Sequence, residues 1–182
     1  VEKEYNNLLE KKKKLGEERE DVENMMTEIE GKKKELFMKT YEVIREKFKH
    51  NFSSLSKKGE ADLELEDEEN IFETGLNIKV RIVGNKFLDL RSLSGGEKTM
   101  TALAFIFAIQ EHEPASFYIL DEVDAALDKH NSEKLAELIA NYSKNAQYIM
   151  ISHNDSIISK ASKLYGVSMN EHNQSKVISL DI

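Results

Sequence analysis

The chain has 182 residues, no cysteine, and a formal net charge of −8 from 26 Lys/Arg and 34 Asp/Glu. That length suits one ordinary domain plus an extension, and the lack of thiols excludes disulfides and thiolate metal sites and fits an intracellular protein. No apolar run reaches the length of a membrane span, no signal-peptide pattern opens the sequence, and the acidic balance argues against a broad nucleic-acid face.

Residues 1–50 hold 13 basic and 13 acidic side chains, so the whole −8 falls on 51–182. The basic clusters Lys11–Lys14 and Lys32–Lys34 read as solvated helix faces. Val1, Leu8, Leu15, Val22, Ile29, Leu36 and Val43 form an unbroken apolar seven-residue repeat. The companion positions Tyr5, Lys12, Arg19, Met26, Lys33, Thr40 and Lys47 are mostly polar. One clean seam beside one weak seam predicts a coiled-coil helix over 1–52 that packs along a partner helix. Gly16 and Gly31 weaken such a helix by about 1 kcal/mol each against alanine and are candidate bends. With Val1 already in register, the chain is expected to begin partway along a coil.

The remainder, 53–182, changes character. "ADLELE" (61–66) and "GLNIKVRIV" (75–83) alternate as strands do, with Leu76, Ile78, Val80 and Ile82 on one face and the acidic "DEEN" as a loop between them. Gly84-Asn85 predicts a tight turn into a short strand near Phe87–Leu90. From Glu97 to about Glu111 the residues are apolar nearly all round, which predicts a buried helix. Pro114 follows where that helix should stop. A βαβ rhythm comes next: "FYIL" (117–120), the helix "KHNSEKLAELIANYS", the strand "QYIMIS" (147–152) and a short helix in "NDSIISKAS". "LYGVSM" and "SKVISLDI" finish as strands around the polar turn "NEHNQ". Solid apolar strands alternating with helices predict a parallel sheet covered on both faces.

Four short stretches carry candidate chemistry. In "LSGGEK", Ser94 and Glu97 have the spacing of a capping box, while Gly95 and Gly96 would let backbone N–H groups approach a phosphate. "FYILDE" ends a strand in Asp121 and Glu122, adjacent acids at the carboxyl end where open α/β sheets bind ligands. There Asp121 could hold Mg²⁺ and Glu122 could polarise water, although a strand-end Asp also caps turns. Asp128 in "DAALD" stands at a helix start, where capping explains it equally well. "YIMISHND" ends the next strand in Ser152-His153, and a histidine there can donate to a phosphate or be inert. No phosphate loop of the form G-x-x-x-x-G-K-[ST] occurs in the 182 residues.

In this order the four stretches resemble the signature motif, Walker B strand, D-loop and H-loop of ABC-superfamily ATPase heads. "LSGGEK" and "FYILDEVDAALD", with the long coil before them, resemble structural maintenance of chromosomes (SMC) proteins. Transporter domains typically read "LSGGQ" and "DEPTSALD", and the double-strand-break repair relative "LSGGER" and "DEPT"; here Lys98, Val123, Asp124 and Ala125 take the SMC side. The resemblance spans essentially the whole chain, most sharply 93–153.

The resemblance implies an α/β fold: the C-terminal lobe of an ABC-type head, mostly parallel sheet flanked by helices with antiparallel strands, after a long N-terminal coiled-coil helix. In SMC proteins the head is assembled from both ends of the polypeptide, and the phosphate loop belongs to the N-terminal half. This chain alone is therefore expected to be inactive. The resemblance implies ATP and Mg²⁺ as cofactors, held mainly by an N-terminal lobe, with Asp121 on the metal. Glu122 is implied as general base and His153 as a γ-phosphate contact. Ser94, Gly95, Gly96, Glu97 and Lys98 would close over the ATP of a second head, and Asp128 would link the two heads. Implied partners are the N-terminal lobe, a second head, a kleisin subunit and DNA, without a membrane, in a cytoplasmic, chromosome-associated setting. Two other readings stay open: a coiled-coil ABC ATPase of DNA repair, and a non-catalytic coiled-coil adaptor fragment.

Overall fold

The computed structural model describes residues 2–56, 59–82 and 86–181. It divides into two compact units, 1–43 and 44–182. In the first, helix α1 (Glu2–Leu55) runs unbroken through Gly16 and Gly31. Its seam residues Leu8, Leu15, Val22, Ile29 and Leu36 are all exposed. Pairs at helical spacing, Lys13–Glu17, Lys14–Glu18, Arg19–Glu23 and Glu28–Lys32, decorate the helix. Exposed pairs of that kind contribute about 0.3–0.5 kcal/mol each, so the unburied seam is the dominant unmet term.

The second unit begins with the last turns of α1. Strands β1 (Glu60–Leu65), β2 (Leu76–Arg81) and β3 (Leu88–Asp89) form an antiparallel sheet, with Ala61 opposite Val80 and Leu63 opposite Ile78. Ala61, Leu63 and Val80 are buried, as are Phe48, Phe52 and Leu55 of α1. Phe48 meets Phe105 edge-on at 5.8 Å. The predicted turn at Gly84-Asn85 lies outside the described residues. A 3-10 turn over Leu90–Ser92 leads to α2 (Gly95–His112).

Strand β4 (Phe117–Asp121), helix α3 (Lys129–Tyr142) and strand β5 (Gln147–Ile151) form the βαβ unit, with β4 and β5 parallel. Leu103 and Phe107 of α2, Leu120 of β4, Leu135, Ala136 and Ile139 of α3, and Ile157 of α4 (Asp155–Ile158) form one core cluster. Strands β6 (Lys163–Met169) and β7 (Ser175–Asp181) close the chain as an antiparallel hairpin. The fold is mixed α/β with parallel and antiparallel sheets.

Two expectations are corrected. The βαβ sheet is covered on one face only: Phe117, Ile119, Ile149 and Ile151 are between 45% and 60% exposed on the other. Likewise α2 buries Met100, Leu103, Ala104, Phe107 and Ala108 but leaves Ile106 and Ile109 exposed. Apolar spacing marks residues that favour burial, and among the described residues one face of the β4–β5 pair and one side of α2 are left without a cover.

Arg45, in α1, grips Asp62 of β1 with two parallel hydrogen bonds of 2.5 and 2.6 Å. Burial raises the Asp62 carboxyl, but the bond from Arg45 and its neighbours outweighs it, and the pKa falls below the usual 3.8. A folded-state pKa below the unfolded one means stability that is complete above the unfolded value and lost as pH falls through the folded one. Asp62→Asn is therefore expected to cost about 1 kcal/mol at pH 7 and less near pH 2. Urea unfolding of both chains at the two pH values measures this; an equal gap at both would contradict it.

Candidate active site

The first motif is built at the start of α2. Ser94 caps the helix in extended conformation: its Oγ accepts from the Glu97 N–H at 3.4 Å, and Glu97 Oε2 accepts from the Ser94 N–H at 2.8 Å. Lys98, on the first turn, donates its N–H to the Ser94 carbonyl. The two glycines differ. A Cβ at Gly95 would meet nothing within 4 Å, whereas one at Gly96 would lie 3.0 Å from the Ala126 carbonyl oxygen. The backbone of Gly96 thus abuts the "DAALD" segment, and the first and third motifs share one piece of surface.

The acids come next. Asp121 is the last residue of β4 and is exposed. Glu122 follows with φ of 46°, in the left-handed region that a side chain rarely adopts. It is held there by its N–H, which donates to Ile151 O at 2.9 Å, and by its carbonyl, which accepts from Ala125. The twist carries its carboxylate toward the end of β5, where Glu122 Oε1 lies 3.5 Å from Nε2 of His153. The His153 side chain is 91% exposed, so its other faces are open to a ligand. Strand ends that neighbour each other in a parallel pair thus bring the second and fourth motifs together.

Asp128 caps α3, accepting from the Asn131 backbone at 2.8 Å and its amide at 3.3 Å. Its hydrogen bonds, like those of Ser94, are local. Among the described residues neither bonds to Asp121, Glu122 or His153.

A pair that sequence reasoning passed over holds the site together. Asp124, only 5% exposed, accepts from Ser152 Oγ at 2.7 Å, and Ser152 Oγ accepts from the Asn154 N–H at 3.0 Å. The bond ties the loop after β4 to the loop after β5, on either side of the Glu122–His153 contact. The clue was available: four acids in the eight residues 121–128 crowd one loop, and a hydroxyl directly after a strand is a natural partner for one turned inward.

Asp121 and Glu122 offer adjacent carboxylates, and no group of three His, Asp or Glu converges among the described residues. That sparse oxygen set fits Mg²⁺, which keeps most of its waters and takes one or two carboxylates together with substrate phosphates.

Residues 2–176 match the RecF/RecN/SMC N-terminal domain family. The chain is 44% identical over 176 residues to the chromosome partition protein Smc of Methanocaldococcus jannaschii, covering 97% of this chain and 15% of that protein. It is 43% identical over 182 residues to the Smc of Pyrococcus furiosus, again 15% of that protein's length. Among solved structures it is similar to the Pyrococcus furiosus Smc head with an extended coiled coil, bound to the C-terminal domain of ScpA. There the TM-score is 0.88 at 44% identity, over 100% of this chain and 45% of that one. It is also similar to an SMC ATPase studied for ATP-driven dimerization, at TM-score 0.74 and 44% identity, over 81% of this chain and 89% of that one.

The unlike surroundings of the two glycines give a prediction. Gly95→Ala meets open space and gains helix propensity, so it should stabilise the chain by up to about 1 kcal/mol. Gly96→Ala pushes a methyl against the Ala126 carbonyl and should forfeit that gain or reverse it. Paired thermal melts check the contrast; equal stabilisation by both would refute the close approach at Gly96.

Proposed function

The chain belongs to the RecF/RecN/SMC family, and from that premise we propose that it is the C-terminal half of an SMC ATPase head. On this reading 1–52 is the returning coiled-coil helix and 53–182 the C-terminal lobe. An N-terminal lobe supplies the phosphate loop, and ATP is hydrolysed between two engaged heads. The observation that carries the reading is the Glu122–His153 contact at the carboxyl ends of a parallel strand pair.

Glu122 accepts a proton from water, whose oxygen bonds to the γ-phosphorus as the bond to the β–γ bridging oxygen breaks, leaving ADP and phosphate. His153 donates a hydrogen bond to the γ-phosphate and keeps the Glu122 carboxylate facing it. Asp121 would hold Mg²⁺, which offsets charge on the phosphates. Ser94, Gly95 and Gly96, with Glu97 and Lys98 behind them, present the start of α2 to the γ-phosphate of the opposite head. The open space over Gly95 supports that role. Asp128, on the surface shared with Gly96, meets the second head. Contacts with nucleotide on the opposite head make engagement depend on ATP and end with its hydrolysis. The exposed apolar face of β4–β5 supports an N-terminal lobe as its cover. The wider role we propose is chromosome condensation and segregation by entrapment of DNA with a kleisin subunit, in the cytoplasm on the chromosome.

Mixed with no N-terminal lobe, this chain should bind Mg-ATP weakly and hydrolyse it at background. Isothermal titration showing micromolar affinity for the chain alone would overturn the half-site assignment.

In a complete head, Glu122→Gln should slow hydrolysis by about 10²- to 10⁴-fold while ATP-dependent dimers accumulate. Adding Ser94→Arg should leave ATP binding per head near normal and give monomers. If Ser94 only caps α2, the loss is limited to about 0.5–2 kcal/mol of stability and dimers persist. Light scattering on the single and double variants decides between the two.

A further inference from the structure

The contact between Glu122 and His153 does not orient itself. At 3.5 Å it is longer than a good hydrogen bond, and both side chains stand in solvent. Exposed pairs of that kind hold two flexible side chains weakly, because water screens the attraction and each side chain gives up rotamer freedom. Their alignment has to come from the two loops that carry them.

Those loops are joined at two points. The Glu122 N–H donates to the Ile151 oxygen at 2.9 Å, which sets the loop after β4 beside the end of β5. A single bond is a pivot and leaves rotation about itself free. The second point is Asp124, two residues further on, which accepts from Ser152 Oγ at 2.7 Å. Among the described residues this is the one side-chain hydrogen bond between the two loops.

The protons along the link run one way. As a carboxylate Asp124 only accepts, so it takes the single hydroxyl proton of Ser152, whose oxygen accepts from the Asn154 N–H at 3.0 Å. Ser152 Oγ thereby closes a tight turn with His153 at its centre. Asn154 continues the chain, its Oδ1 accepting from the Ser156 N–H at 2.9 Å at the start of α4. A charged acceptor strengthens the hydroxyl bond, and a hydroxyl that donates is in turn a better acceptor.

Asp124 also stands apart from its neighbours. Asp121, Glu122 and Asp128 are exposed, whereas Asp124 is buried. Burying a carboxylate is unfavourable unless a donor meets it. The loop does not need that side chain to close on itself, since the Ala125 N–H donates to Glu122 O and the Leu127 N–H to Asp124 O.

We propose that Asp124 and Ser152 are positioning residues for hydrolysis: their bond fixes the two loops in one orientation, keeps Glu122 aligned with His153, and sets the rate of the chemical step without adding to nucleotide binding. The proposal rests on the nucleotide reading above.

The test uses the complete head. Ser152→Ala should lower kcat by about 10- to 100-fold, because a small displacement of a reacting group slows the reaction steeply. KM for ATP and ATP bound per head should stay within about twofold. Ser152→Thr retains the hydroxyl and should restore most of the rate. A loss of folded protein would instead reduce bound ATP and turnover together. An unchanged kcat, or a raised KM with kcat held, overturns the positioning role.

A double-mutant cycle tests the route. With the base removed by Glu122→Gln, Ser152→Ala should slow the residual hydrolysis by less than about twofold. A further loss as large as in the unmodified head overturns the proposal, because the pair would then act independently of Glu122. Hydrogen exchange without nucleotide reads the link itself: Asp124→Ala should speed exchange at the Asn154 N–H by at least about fivefold, and an unchanged rate overturns the link. Should that buried substitution prevent folding, the Ser152 variants still decide. Glu122→Gln hydrolysing at the full rate overturns the nucleotide reading instead, and the exchange rates then judge the link alone.

Discussion

The packing of α2 and α3 against a single face of the β4–β5 pair is the constraint on which the site depends. Phe107, Leu135 and Leu120 sit in that layer, and the strand order it enforces puts the ends of β4 and β5 side by side. Everything with candidate chemistry is a terminus of one of these four elements: the starts of α2 and α3, and the ends of β4 and β5. Were the layer to loosen, the termini would drift apart, since few bonds link them directly. The direct links are short-range reinforcements: Asp124 to Ser152 and Glu122 to Ile151 and His153 across the two strand ends, and the backbone of Gly96 against that of Ala126.

The two kinds of link differ in what they can transmit. A buried hydroxyl–carboxylate bond breaks at a cost but can re-form elsewhere, so the strand-end loops can change shape and return. A backbone packed against a backbone only limits approach: the start of α2 has no room for a side chain at Gly96 against the Ala126 carbonyl.

Most elements were legible because they rest on local rules. The period of the apolar residues marked the strands within one or two positions, whereas α1 runs three residues past its expected end and α4 stops four short of its own; Pro114 placed the end of α2, which stops at His112. The capping box at Ser94 and the cap at Asp128 were readable from spacing alone. Coverage was not. Whether Phe117, Ile119, Ile149 and Ile151 are buried depends on what lies over them, and periodicity records the preference of a residue rather than the presence of a partner. The Asp124–Ser152 bond and the contacts of the Tyr142 hydroxyl with Asn51 and Glu111 were also hidden, because each joins residues distant along the chain. Asn51, Tyr142 and Glu111 look individually like ordinary polar positions on amphipathic helices.

Glu122 stands in a left-handed backbone conformation that glycine adopts freely and glutamate does not. Holding it there costs about 1 kcal/mol, offset by the bonds to Ile151 and Ala125. Glycine at this position would relax the loop and remove the carboxylate in the same step. On the proposed role, stability and turnover therefore pull position 122 in opposite directions. Selection for a sturdier fold alone would erase the base, so its retention is a trade of thermal margin for chemistry.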